Sequence, residues 1–215
     1  MVNPHPGLSA LPFSGHWIGE RGWCLETGDT TLSRYVQLQT GEFPELDDVI
    51  PSDGSLLLVF KRGAVASDAL RAALVEPLST AGPVEQATHT LRVRYGGEAG
   101  PDLERLAAQA GWDVATCIER LCAATYRVAF LGFQPGFPYL RGLPAELHAA
   151  RRATPRVRVP AGSVAIGGAY AGIYPASGPG GWQIIGQTGA TIFDPERAEP
   201  ALMLPGDRVR FVADD

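Results

Sequence analysis

Apolar residues along this chain follow two rhythms. Up to Tyr126 they alternate between strand and helix periods, and after it they come in short unbroken runs separated by glycine and proline. Residues 16–25 read as one strand, 31–38 as a short helix, and 56–60 (LLLVF) as a buried strand. Ser67 is placed as the N-cap of a helix whose Leu70, Ala73, Leu74 and Leu78 recur at the helical period. Strand and helix alternating over this length predict a small α+β layer, residues 13–88, behind a loose leader, 1–12, rich in proline.

Residues 90–95 then alternate as a strand and run into a glycine-rich turn. Asp102 reads as the cap of a helix carrying Leu103, Leu106, Ala107 and Ala110, and Asp113 as the cap of a second with Val114, Cys117, Ile118 and Leu121. Beyond Tyr126 the apolar runs 128–131, 163–166 and 182–185, with a closing strand after Pro205-Gly206, predict a β barrel, so that residues 89–215 form a second domain. The fold class is therefore α+β.

Composition narrows the partners. The chain has 215 residues, 45% of them hydrophobic and 19% charged, with a formal net charge of -5. An acidic chain without a long basic run lacks the electrostatic footprint that nucleic acid or a membrane surface requires, so the two helices after Asp102 do not read as a DNA-binding pair. The basic stretch 151–158 (RRATPRVR) reads as a solvated loop. Three cysteines, Cys24, Cys117 and Cys122, cannot all pair and fit a reducing cytoplasm. No basic segment followed by a long apolar run is found, so neither a signal peptide nor a membrane span is expected.

Candidate chemistry concentrates in residues 132–186, where glycine, proline and aromatics mix too densely for ordinary helix or sheet. Such mixing specifies rigid loops, either the corners of a barrel or the walls of a pocket. Phe133, Phe137, Tyr139 and Trp182 are core packing on the first view and pocket lining on the second. The four histidines show no metal-ligand spacing, so no metal site is expected. There is no GxxxxGK[ST] phosphate cradle, and Ser163 lacks the context of a nucleophile elbow. Glu98, in the glycine-rich turn, is the candidate acid or base, whereas Asp102 beside it is assigned to capping. Arg158, Gln183 and Thr188 have the hydrogen-bonding groups to hold a carboxylate or amide.

These blocks also carry a resemblance. YGGEAGPDL from Tyr95, YRVAFLGFQPGFPYLRGLP from Tyr126, RVPAGSVAIGG from Arg158, and GIYPASGPGGWQIIGQT followed by PGDRVRF resemble the family of the B-type subunit of 5-oxoprolinase, also called allophanate hydrolase subunit 1 or the KipI family. The resemblance is to the carboxyltransferase domain, subdomains C and D; it is strong from Tyr95 onward and weaker before it. It implies an N-terminal ferredoxin-like domain and a C-terminal cyclophilin-like β barrel. It further implies a protein that works with a homologous C-type subunit and a separate A-type subunit to open the lactam of 5-oxoproline to glutamate with ATP hydrolysis; since the sequence has no phosphate cradle, the ATP is expected to bind outside this chain. The substrate pocket it implies is lined by Phe133, Pro135, Phe137, Arg158, Gly180, Gly181, Trp182, Gln183 and Thr188. Other branches of the resemblance lead to a regulatory protein that inhibits a sensor histidine kinase, and to an accessory module of urea carboxylase. The sequence departs from the family in one respect: where members generally carry a histidine five residues before the tyrosine of the long motif, it has Leu121.

Overall fold

The computed structural model describes residues 13–76 and 87–214. They fall into two compact units, residues 1–85 and 86–215. Leu78 and the leader 1–12 lie outside the described residues.

In the first unit, β1 (Gly15–Ile18), β2 (Gly22–Glu26), β3 (Leu46–Pro51) and β4 (Ser55–Phe60) form an antiparallel sheet of order β1-β2-β4-β3, with α1 (Thr31–Thr40) and α2 (Asp68–Val75) completing the unit. The single strand expected over 16–25 is a hairpin: three residues, 19–21, break it and fold Trp17 against Trp23. β3 escapes a hydrophobic reading because its sequence, LDDVIP, buries only Val49 and Pro51; as an edge strand it tolerates the proline. In β4 the apolar run is not buried evenly. Leu56, Leu58 and Phe60 point into a core shared with Leu25, Leu38, Leu70 and Leu74, while Leu57 and Val59 alternate onto the other face and are half-buried. Ser67 caps α2 as expected, its Oγ accepting the Leu70 N–H at 3.0 Å.

The second unit is built on β5 (Thr88–Tyr95), α3 (Leu103–Gln109), α4 (Val114–Ala123), β6 (Tyr126–Leu131), β7 (Pro138–Arg141), β8 (Arg156–Val159), β9 (Ser163–Gly167), β10 (Tyr170–Ile173), β11 (Gly178–Gly180), β12 (Gln183–Gln187) and β13 (Arg208–Ala213). Seven of the strands close a barrel in the order β10-β7-β6-β13-β5-β12-β9, and β8 and β11 pair as a separate ribbon. β13 enters parallel to β5, Arg208 opposite Thr88 and Ala213 opposite Val93, and antiparallel to β6. One face of every barrel strand, including Val93, Val128, Leu140, Val164, Ile173, Ile185 and Phe211, meets Leu103, Leu106, Cys117 and Leu121 of α3 and α4 in one core. Side chains therefore fill the interior, as in other small barrels.

β9 and β12 are buried on both faces. Val164, Ile166 and Ile185 point to that core, whereas Ala165 and Ile184 point the other way, into a second cluster with Phe137, Val159, Tyr174 and Trp182. Their sequences read as unbroken apolar runs for this reason. The second cluster lies on the outer wall of the barrel, and the candidate site is built on it.

Candidate functional site

The wall cluster is an aromatic layer organised around Phe137. Its ring centroid lies 5.5 Å from Phe133, 5.3 Å from Tyr139, 5.2 Å from Tyr174 and 5.3 Å from Trp182, all in edge-to-face geometry. The barrel makes room for it with glycine. A Cβ at Gly167 would stand 2.4 Å from the Trp182 ring, and one at Gly172 would meet Phe137 at 2.8 Å and Trp182 at 2.9 Å. The layer can sit on β9 and β10 only because those positions have no side chain.

Above the layer opens a recess of about 150 Å³. Its floor and walls come from Phe133, Tyr139, Tyr174 and Trp182, one side is the Gly180-Gly181 backbone, and the rim is Arg151, Arg152 and Pro155. Phe133 is the single non-glycine residue with positive φ among the described residues (67°) and is 62% exposed, an aromatic held over the opening by a tight turn. In that turn Gln134 N–H donates to Gly132 O at 2.8 Å and Phe137 N–H to Gln134 O at 3.0 Å. A left-handed phenylalanine costs roughly 1 kcal/mol or more, a strain typical of ligand sites. Burial raises the pKa of the Tyr174 phenol, a shift opposed by its hydrogen bond with the Trp182 backbone and by the nearby Arg151 and Arg156.

The rim is positioned by Asp102, and here two sequence readings are corrected. Asp102 does not cap α3: its side chain makes no capping bond. Its carboxylate is instead nearly buried and accepts from Arg156 Nη2 at 2.9 and 2.8 Å, from the Ile184 N–H at 2.7 Å, and from Arg152 Nη1 at 3.4 Å. Arg156 Nη1 reaches on to the Trp182 carbonyl at 3.3 Å. The stretch 151–158 is thus not merely a solvated loop, because three of its arginines converge on the recess and its anchor. Arg151 lies over the Trp182 ring, 5.7 Å from its centroid.

Of the residues singled out in the sequence, Phe133, Gly180, Gly181 and Trp182 line the recess, and Phe137 lies beneath it. Gln183 is buried with both ends of its amide engaged: Nε2 donates to Ala150 O at 2.8 Å, and Oε1 accepts from Arg105 Nη2 of α3 at 2.6 Å. Arg158 is exposed and donates from Nε to Ser177 Oγ at 3.0 Å. Thr188 is buried, with Oγ1 accepting the Ala190 N–H. Pro135 and Glu98 are exposed and do not line the recess. Leu121 is fully buried in the barrel core, and its carbonyl accepts the Tyr126 hydroxyl at 3.1 Å. Asp102, Arg151, Arg152 and Arg156 are the additions from the structure. Among the described residues no group of three or more His, Cys, Asp or Glu side chains is placed to hold a metal, and no helix is long and apolar enough to cross a membrane.

The second unit is thus a closed barrel with a recess on its outer wall, and a small α+β unit precedes it in the chain. Residues 16–203 match the family described as carboxyltransferase domain, subdomain C and D, and the chain belongs to it. It is 57% identical over 120 residues to the B-type subunit of 5-oxoprolinase from Escherichia coli O157:H7, covering 56% of this chain and 55% of that protein. To the B-type subunit of 5-oxoprolinase from Haemophilus influenzae it is 52% identical over 122 residues, covering 57% of each. The chain thus spans little more than half the length of the curated relatives it matches. Among solved structures, TTHA0988 superposes with a TM-score of 0.76 at 33% identity, covering 91% of this chain and 40% of that one. The conserved uncharacterized protein PH0987 from Pyrococcus horikoshii gives 0.58 at 34% identity, covering 94% and 98%. The Kluyveromyces lactis urea carboxylase shares the fold, with a TM-score of 0.71 at 19% identity over 94% of this chain and 22% of that one.

Proposed function

We propose that this chain is the B-type subunit of an ATP-dependent 5-oxoprolinase complex, which opens the lactam of 5-oxoproline to L-glutamate, and that the wall recess holds the substrate or a ring-derived intermediate. The observation that carries this reading is the 57% and 52% identity to two proteins that bear the name of that 5-oxoprolinase component. The site is consistent with it. A cavity of about 150 Å³ accepts a ring the size of benzene, and a five-membered lactam needs no more.

On this reading ATP is bound by a partner, since the sequence carries no glycine-rich phosphate cradle. Transfer of the ATP γ-phosphoryl group to the lactam oxygen releases ADP, and water adds to the ring carbon to give a tetrahedral centre. The C–N bond then breaks as the nitrogen takes a proton, the acyl phosphate being hydrolysed to carboxylate and phosphate. The fixed Gly180-Gly181 backbone forms the side of the recess assigned to that centre. The partners are a homologous C-type subunit and a separate A-type subunit, in the cytoplasm. We read the first unit as ferredoxin-like, with β1 supplying the outer strand beside β2, and the barrel as cyclophilin-like. Urea carboxylase accessory work is a weaker alternative, supported by likeness of fold.

The test is glutamate release from 5-oxoproline and ATP by this chain, by the A-type and C-type partners without it, and by all three together. Release only from the full mixture is the expected result. No release from folded, associated proteins removes the reading and leaves the regulatory one, inhibition of a histidine kinase, which a core leucine at position 121 in place of the family histidine favours.

A further inference from the structure

We propose that Arg151 and Arg152 form a carboxylate-binding rim, so that the recess selects small ring-bearing carboxylates, while Arg156 from the same segment only holds that rim in place. This rests on the reading of the recess as a substrate site and names the class of ligand it takes.

The argument starts from charge. Asp102 is the one carboxylate bonded to this segment among the described residues, and three short hydrogen bonds already engage it: two from Arg156 Nη2 and one from the Ile184 N–H. Arg156 is committed to that bond and to the Trp182 carbonyl. Arg152 makes two long approaches of 3.4 Å, from Nη1 to the same oxygen that Arg156 holds at 2.9 Å and from Nε to the uncharged Thr154 carbonyl, so its guanidinium is little neutralised. Arg151 has no ion-pair partner among the described residues and lies against the face of Trp182. Three cations therefore meet one anion, and the excess sits on the recess edge of a chain whose overall charge is negative.

Geometry adds the second half. Both arginines line the opening while the floor below them is aromatic, so a ligand satisfying the site carries an anion at one end and a flat or cyclic apolar body at the other. A guanidinium matches a carboxylate through paired N–H donors, and Arg151 lying against an indole is restricted in its orientation before any ligand arrives.

The test is calorimetric titration of the full chain with three probes: 5-oxoproline, its neutral carboxamide, and cyclopentanecarboxylate, which keeps the ring and the acid but has no lactam. Both acids should bind, and the carboxamide should bind about ten- to a hundredfold more weakly. Replacing both rim residues (Arg151→Met with Arg152→Met) keeps the aliphatic stems, so it should abolish the preference for acid over amide without lowering Tm. Arg156→Met should lower Tm. Equal binding of acid and amide, a double variant that keeps the preference, or no binding by either acid overturns the proposal. The two readings fail separately. Arginine-dependent binding of cyclopentanecarboxylate with no glutamate release from the reconstituted complex discards the oxoprolinase and keeps the rim. Undiminished glutamate release by the double variant keeps the oxoprolinase and discards the rim.

Discussion

Asp102 joins four parts of the second unit: the turn before α3, the basic segment, the backbone of β12, and through Arg156 the carbonyl of Trp182. Substituting Asp102→Asn leaves Arg156, whose side chain is only 22% exposed, without its counter-charge. Removing one member of a mostly buried pair costs about 3 kcal/mol, whereas losing a helix cap costs about 1. Urea unfolding distinguishes the two, and the larger loss is expected. None of this could be read locally. An aspartate before Leu103 looks like a cap because the next residues are helical, and its real partners lie 50, 54 and 82 residues further along the chain. The same holds for the arginines, whose segment is polar and rich in proline however it is used. The aromatics were easier, since glycine and proline around Phe133 and Trp182 marked the region, although core packing and pocket lining both stayed open for them. Which of them would open to solvent depended on β9 and β10 lying beneath, and that is a tertiary fact.

The starts of α2 and α4 were legible because their capping chemistry is local. Ser67 and Asp113 both accept the N–H three residues on, at 3.0 and 2.7 Å. Strands were legible where both faces are covered, as in β9 and β12, and poorly so where one face is polar, as in β3. The caps also give a pH dependence. Asp113 is held below its ordinary carboxyl value by hydrogen bonds from Thr116. Burial alone would raise Glu45, but hydrogen bonds from Ser67 and the nearby Arg71 outweigh it, so Glu45 too is lowered. A carboxyl whose folded value is depressed contributes its full stabilisation above the unfolded value and loses it as pH falls through the folded one. The thermal midpoint should therefore hold steady from neutral pH down to the ordinary carboxyl values, 4.5 for Glu45 and 3.8 for Asp113, and fall below them. Asp113→Asn should lie below the wild type at pH 7 and converge with it in strong acid. At neutral pH, Ser67→Ala should cost about 1 kcal/mol in denaturant unfolding.

At the level of the molecule, each unit carries its own core, the first around Leu25, Leu58 and Leu70, the second around the filled barrel. A unit with its own contiguous core can in principle fold alone. A fragment of residues 87–215 should therefore unfold cooperatively on heating, with the near-ultraviolet signal of its packed aromatics lost in the same step. A broad, non-cooperative melt would contradict this. The same fragment contains the whole recess, so the arginine rim can be titrated in it as well.

The place of β13 bears on how the barrel is made. Its residues fill the gap between β5 and β6, and the Arg208 that opens it stands beside Thr88, 120 positions earlier in the chain. A ribosome delivers β5 and β6 long before the strand that belongs between them, so the nascent barrel waits as an open sheet with two unpaired edges, the arrangement most prone to pair with a neighbour. Closure is thus a late event in synthesis, and a chain cut short of Phe211 leaves the ribosome with that seam still open.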